Sequence, residues 1–411
     1  MSLGVYWNGP EIGRLDRQGE LTREYAFSYT AHASRPISIA LPLDRHSFSA
    51  TESRAFFEAL LPERGARERI AEQLKLAESD SYGLLAALGA DCAGALQILE
   101  EEQPAASPSV RWLDQAELDA LVEQLPRHPL GITAGAERLR LSLAGVQHKA
   151  ILLRDRDGRF GKPLDGMPSS HLLKPELPGS EYPGLARNEY FCMSLASRCG
   201  LATARVELIT AAGRPCLAVE RFDRLQGEWP PTRLHQEDLC QALGLTPDFK
   251  YQKPGWQLPS YASLGRLLNE HSLAPGLDRL AGARAALFNF MIGNADAHAK
   301  NISLMHVDGG VRLAPLYDLV CTGAYPDLSS ELSLAIGDQL DPEAIAASDW
   351  LDLAYDFGLQ PAAFERERRR LSERVLAEAS SLRQQALAEG WHHECIDATL
   401  DVIAVRSPRV L

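Results

Sequence analysis

The sequence predicts an α+β chain of bilobal design, with a small N-terminal β/α subdomain, a β-rich lobe and a predominantly helical C-terminal lobe. Three observations lead there. Up to about residue 255 the apolar residues fall mostly in short β-like runs punctuated by Gly, Pro and Asn. Beyond Pro259 they recur at helical spacing over long windows. Between the first helices and the next β-like runs lies one Pro/Ser/Ala-rich stretch, QPAASPS, the best linker in the chain. The expected domains are therefore 1–101, a linker at 102–109, 110–255 and 256–411.

Bulk properties set limits on function. With 411 residues, 45% hydrophobic and 24% charged, the chain can bury a large core and divide into two or three domains. The net charge of -13 argues against tight autonomous binding to nucleic acid, which needs a basic face to displace counterions. Seven scattered cysteines without a CxxC pair read as free thiols, mostly in the core, in a reducing compartment. The N-terminus lacks a basic segment followed by an apolar one, and no apolar run reaches about 18 residues. A cytoplasmic protein with no membrane association is expected.

In chain order, LGVYW, YAFSYT and ISIAL within residues 3–43 read as strands. ESRAFFEALLP, ARERIAEQLKLA and YGLLAALGAD read as helices, as does QAELDALVEQL after the linker. LRLSLAG and KAILLRD then suggest a hairpin with its tip at Ala144, Gly145, Val146, Gln147 and His148. Such a tip can turn backbone N–H groups toward a phosphate, with Lys149 adding charge, although most Gly-containing turns bind nothing. HLLKPEL is a strand with Lys174 near its end, and a buried ammonium needs an anion, either a carboxylate or a phosphate. The helix GLARNEYFCMSLASRCG offers Glu189, which either reaches Lys174 or stays solvated. ARVELIT and CLAVERFDR are strands, and the end of the second, Glu220-Arg221-Phe222, can present backbone groups to an adenine edge, as many edge strands can. Gln236, Glu237 and Asp238 precede a helical run and read as its cap.

The most informative stretch is FNFMIGNADAHAKNISL, residues 288–304, where an apolar run closes on Asp296, followed by His298, Lys300 and Asn301. An Asp that deprotonates a hydroxyl and an Asn five residues on that holds a metal are what a phosphoryl-transfer loop requires. Downstream, ISLMHV and VRLAPLY form a second hairpin around Asp308-Gly309-Gly310, and Asp318 follows as a metal carboxylate. Glycine hairpin, strand lysine, Asp-x4-Asn and Asp after a hairpin occur in kinase order, so a protein-kinase-like fold is the joint expectation. A metal-dependent hydrolase using Asp296 and His298 is disfavoured, since no further His/Asp cluster completes a ligand set.

Over nearly its whole length the chain resembles the HipA family, the kinase toxins of type II toxin–antitoxin modules. SIALPL, ALLPERGARERI, LGADCAGALQ, LSLAGVQHKAILL, HLLKPEL, RNEYFCMSLA, LAVERFDR, LHQEDLCQALGL, the 288–304 stretch and LAPLYDL carry the resemblance. It implies a serine/threonine protein kinase that uses ATP and Mg2+, with Asp296 as base and Asn301 with Asp318 on the metal. It further implies Ala144 to Lys149 as phosphate loop, Lys174 on phosphate, Glu220 to Phe222 on adenine, and His298, Lys300 and Tyr317 near the nucleotide. Ser142 matches a serine that family members autophosphorylate, with loss of activity. His148 stands where a Glu is common in relatives. The implied partners are a HipB-like helix-turn-helix antitoxin, through which DNA is reached indirectly, and a protein substrate of the aminoacyl-tRNA synthetase class. The alternative is a catalytically silent, nucleotide-binding corepressor that acts only through its antitoxin.

Overall fold

The computed structural model describes residues 2–19, 24–100, 108–130, 148–225 and 227–411. Most of the linker, Ser142 and the phosphate-loop residues Ala144 to Gln147 lie outside them, as does LRLSLAG. The fold is mixed, 39% helical and 21% strand. The chain forms two compact units, residues 1–175 with 210–247, and residues 176–209 with 248–411. These cuts differ from the expected domain boundaries, because the N-terminal subdomain and most of the β-rich stretch share one unit while the helix after Lys174 joins the helical one.

The first unit opens with β1 (Ser2–Trp7), β2 (Glu11–Arg17) and β3 (Tyr25–Tyr29). Asn8 and Gly9 both take positive φ, at 49° and 118°, which the short polar side chain and the missing Cβ allow at the β1–β2 turn. The helices α1 (Ala50–Phe57), α2 (Arg64–Leu74) and α3 (Ser81–Leu88) fall where the periodicity places them. Ser49 and Glu52 close a capping box on α1, and Asp80 caps α3. β4 (Leu96–Glu100) completes an antiparallel sheet of order β3-β2-β1-β4. Its inner face, with Leu3, Val5, Leu15, Tyr25 and Phe27, packs with Phe56, Phe57 and Leu85 of the helices into one core. The run ISIAL is not a strand. Leu41 N donates to Ser38 O in a tight turn, and Ser38 Oγ is drawn away to Glu237 Oε2 at 2.5 Å.

A second sheet follows with β5 (Ser109–Trp112), α4 (Gln115–Gln124), β6 (Ala150–Arg154), β7 (Phe160–Leu164) and β8 (His171–Pro175). The chain passes into the second unit with α5 (Leu185–Arg198) and returns within β9 (Val206–Ala211) to β10 (Arg214–Glu220). Strand order is β5-β7-β6-β8-β10-β9, with Lys174 of β8 opposite Leu217 of β10 and His171 opposite Glu220. β11 (Arg224–Leu225) and β12 (Thr232–Arg233) pair as a short ribbon, followed by β13 (Gln236–Asp238) and α6 (Leu239–Ala242). Asp238 caps α6 through Gln241 N, as the sequence suggests, whereas Glu237 binds Ser38 and Ile39 N.

The second unit holds α5, then α7 (Tyr261–His271), α8 (Pro275–Met291), the hairpin β14 (Ser303–Val307) and β15 (Gly310–Leu313), α9 (Ala347–Asp356), α10 (Pro361–Glu389) and α11 (Glu394–Arg406). α10 packs along α5, α8, α9 and α11. Among the described residues no helix is long and apolar enough to cross a membrane. All seven cysteines are buried free thiols.

Candidate active site

The 288–304 stretch is held rigidly within the second unit. α8 is buried at its C-terminal end through Leu287, Phe288, Phe290 and Met291. Arg406 donates to the Phe290 carbonyl there, a favourable place for a cation at a helix C-terminus. Gly293 leaves the helix at φ 69°, and a Cβ on it would meet Val402 Cγ1 at 2.6 Å, so glycine is required by backbone and by space. Buried Asn294 donates through its backbone N to Asn289 O at 2.9 Å and through Nδ2 to Asn289 Oδ1 at 2.8 Å. Its Oδ1 accepts from Asp296 N at 3.1 Å.

Two downstream segments fix the loop further. Thr322 Oγ1 donates to Gly293 O at 2.9 Å and accepts from Ala295 N at 2.8 Å. Ser333 Oγ donates to Ala295 O at 2.6 Å. Past Asp296, the chain makes a single 3-10 turn over Ala299–Asn301. Asn301 Nδ2 donates to Asp296 O at 3.0 Å, which leaves the amide oxygen as its acceptor. Asp296 and Asn301 are thus positioned against each other, and the Asp296 side chain is exposed.

Asp318 lies beyond β15 in the left-handed region, φ 56°, a conformation that Asp tolerates better than bulkier residues. Asn294, Asn301, Tyr317 and Asp318 all line one pocket of this unit. An amide oxygen and a carboxylate are hard oxygen donors of the kind Mg2+ takes, one or two from the protein and the rest from water and phosphate. Tyr317 donates to Lys300 O at 2.7 Å and accepts from Ser303 Oγ at 2.7 Å, which ties the loop to the Asp318 segment. His298 and Lys300 are 7% and 6% exposed, so both belong to the wall of the loop rather than to its solvent face.

Residues that the sequence did not single out hold this arrangement. Tyr251 Oη donates to Asp296 Oδ1 at 2.8 Å, and its ring meets the His298 ring edge-on at 5.2 Å. Asn188 of α5, fully buried, accepts from Cys321 N at 2.9 Å and donates to Cys321 O at 3.0 Å, bracing the chain just past Asp318. Asn188 lies within RNEYFCMSLA, yet nothing local distinguishes it from any other helix Asn. Glu189, beside it, is 1% exposed, so it is not a solvated helix glutamate.

In the first unit, Lys149 and Lys174 are each 6% exposed. His148 is half-buried, and burial together with Arg69 pushes its imidazole down from the usual histidine value. Glu220 and Phe222 are half-buried at the end of β10. Arg221 N donates to Ser170 O at 2.9 Å, so that N–H is committed to the protein.

The Arg221 side chain belongs to a buried ion network. Asp91 accepts from Arg224 at 2.7 Å, Arg233 at 3.1 Å and Arg221 at 3.4 Å, and from Ser169 Oγ at 2.6 Å. Asp223 is gripped by both Nε and Nη2 of Arg221. Burial alone would raise the Asp91 carboxyl, but the guanidiniums of Arg224, Arg233 and Arg221 outweigh it and hold it at about 2. The network joins Asp91, the one charge in LGADCAGALQ, to the buried Arg221, Asp223 and Arg224 of LAVERFDR.

Comparisons with known proteins agree with this architecture. The HipA N-terminal domain matches residues 3–99 and the HipA-like C-terminal domain residues 141–380. The Sinorhizobium fredii protein Y4mE, named as a kinase, is 40% identical over 367 residues, 87% of this chain and 86% of that one. The serine/threonine-protein kinase toxin HipA of Shewanella oneidensis is 33% identical over 325 residues, 76% of this chain and 72% of that one. A solved complex of Shewanella oneidensis HipA, HipB and operator DNA contains a chain that matches with TM-score 0.81 at 27% identity, covering 99% of this chain and 97% of that one. On this sequence and structural similarity, the chain belongs to the HipA family.

Proposed function

We propose that this protein is an ATP-dependent serine/threonine protein kinase and the toxin of a HipA-type toxin–antitoxin pair. The observation that carries the reading is the pinned loop. Asp296 presents an exposed carboxylate, and Asn301, bonded to the Asp296 carbonyl, shares a pocket wall with Asp318. With Tyr251 on Oδ1, Asp296 has Oδ2 to receive the hydrogen bond of an acceptor hydroxyl. The acceptor's proton passes to this carboxylate as its oxygen bonds to the γ-phosphorus, and the bond to the β,γ-bridging oxygen breaks to release ADP. Asn301 and Asp318 would hold Mg2+, which when bound supplies charge neutralisation at the β- and γ-phosphates.

Lys149 and Lys174, with residues 144–147, serve the phosphates, and within Glu220 to Phe222 the backbone of Glu220 and Phe222 serves adenine, the Arg221 N–H being held by Ser170 O. Autophosphorylation at Ser142 places nearly two negative charges beside the phosphate loop and disfavours ATP there. A HipB-like antitoxin makes the main contact with operator DNA, which a net charge of -13 disfavours for this chain alone. The substrate class is a host aminoacyl-tRNA synthetase. A phosphoproteome of cells expressing wild type against Asp296→Asn tests activity and substrate together. The expected result is one or a few serine or threonine sites, on a synthetase, present only with wild type, together with slower growth. Identical phosphoproteomes and growth curves would leave the silent corepressor instead.

A further inference from the structure

We infer that Tyr251 is a positioning residue for the catalytic carboxylate, an inference that rests on the kinase reading. The segment around Tyr251 and the loop around Asp296 form a closed hydrogen-bonded frame. Lys250 O accepts from Ala299 N at 3.0 Å, three residues past Asp296. Gln252 N donates to Ser333 O at 2.9 Å, and Gln252 Oε1 accepts from Ala335 N at 2.9 Å. Ser333 in turn donates through Oγ to Ala295 O, the residue before Asp296. Both flanks of Tyr251 are therefore tied to both flanks of Asp296, and between them the phenol meets Oδ1 at 2.8 Å.

This arrangement does more than fill space. The Asp296 carboxylate is exposed, and an exposed Asp samples several rotamers unless something holds it. A hydrogen bond from a phenol whose ring is itself held against His298 and whose backbone is held on both sides fixes the carboxylate in one orientation. It also occupies one oxygen and leaves the other for the acceptor. Tyr251 acts through Asp296 and has no role in the absence of that carboxylate.

The test is the single-turnover rate of autophosphorylation with Mg-ATP in the full chain, for wild type, Tyr251→Phe, Asp296→Ala and the double variant. Tyr251→Phe keeps the ring and removes only the hydroxyl. The expected loss is roughly 10- to 100-fold in the maximal rate, the value of a hydrogen bond to a charged group, with the ATP concentration for half-maximal rate unchanged. In the Asp296→Ala background the same substitution changes the residual rate less than about twofold. Binding of a fluorescent ATP analogue and the melting temperature check that the variants are folded. A Tyr251→Phe protein as fast as wild type, or one whose defect is equal in both backgrounds, overturns the inference. A wild type that transfers phosphate neither to itself nor to any protein of a host lysate removes the kinase reading, and this inference with it.

Discussion

Replacing Asp91 by alanine removes a carboxylate that is wholly buried and bonded to Arg224, Arg233, Arg221 and Ser169. The network contains Asp91 and Asp223 against Arg221, Arg224 and Arg233, a net of +1. Without Asp91 it stands at +2, with Arg233 deprived of the ion pair it makes at 3.1 Å. Breaking a buried ion pair by removing one partner costs about 3–5 kcal/mol, because the other charge stays desolvated. That is a large share of the ~5–15 kcal/mol by which a typical fold is stable. Equilibrium urea unfolding followed by tryptophan fluorescence measures it. With a slope of about 3 kcal/mol per molar, the midpoint falls by at least about 1 M. Asp91→Asn keeps the shape and the Ser169 contact and costs less. A midpoint for Asp91→Ala within about 0.2 M of wild type would show that the arginines find other partners or water, and would refute the network as a structural tie.

The same network gives a pH dependence. Asp91 sits at about 2 in the fold against roughly 3.9 when unfolded, and Asp223 is also held low, so their contribution is fully present above about pH 4 and is lost as pH falls toward 2. Urea titrations should show stability falling by about 2 kcal/mol or more from Asp91 alone across that window, and a flat profile there would contradict it. Asn188→Ala strands the buried N–H of Cys321, at about 1–3 kcal/mol, while the Cys321 carbonyl keeps Ala324 N, and should lower both the melting temperature and phosphoryl transfer because Asp318 lies three residues upstream. A variant with unchanged melting and unchanged rate would remove that role.

The parts of the site that lie close in the chain were legible in the sequence. Asp296 and Asn301 lie five residues apart on one loop, and Asp318 follows a hairpin whose Asp308-Gly309-Gly310 signal is local. The strand lysine and α5 were legible for the same reason, since period and turn chemistry are local properties. Contacts made over long separations were not. Tyr251 meets Asp296 across 45 residues, Asn188 meets Cys321 across 133, and Ser38 meets Glu237 across 199. The last also explains why ISIAL, with good strand propensity, folds as a turn: a buried hydroxyl committed to a distant carboxylate outweighs a local preference of a few tenths of a kcal/mol. Arg221 illustrates a similar limit. Its place at the end of a strand suggests a role at a ligand edge, while its guanidinium and its N–H are both spent inside the protein.

The central claim, that Asp296 is the base of a phosphoryl-transfer site, is tested most directly by incubating purified wild type and Asp296→Asn with Mg2+ and ATP labelled at the γ-phosphate, then mapping the label. Wild type should carry phosphate at Ser142 and Asp296→Asn only a small residue of it, while both bind nucleotide equally. Label that is absent from wild type, or equal in the two proteins, would contradict the assignment.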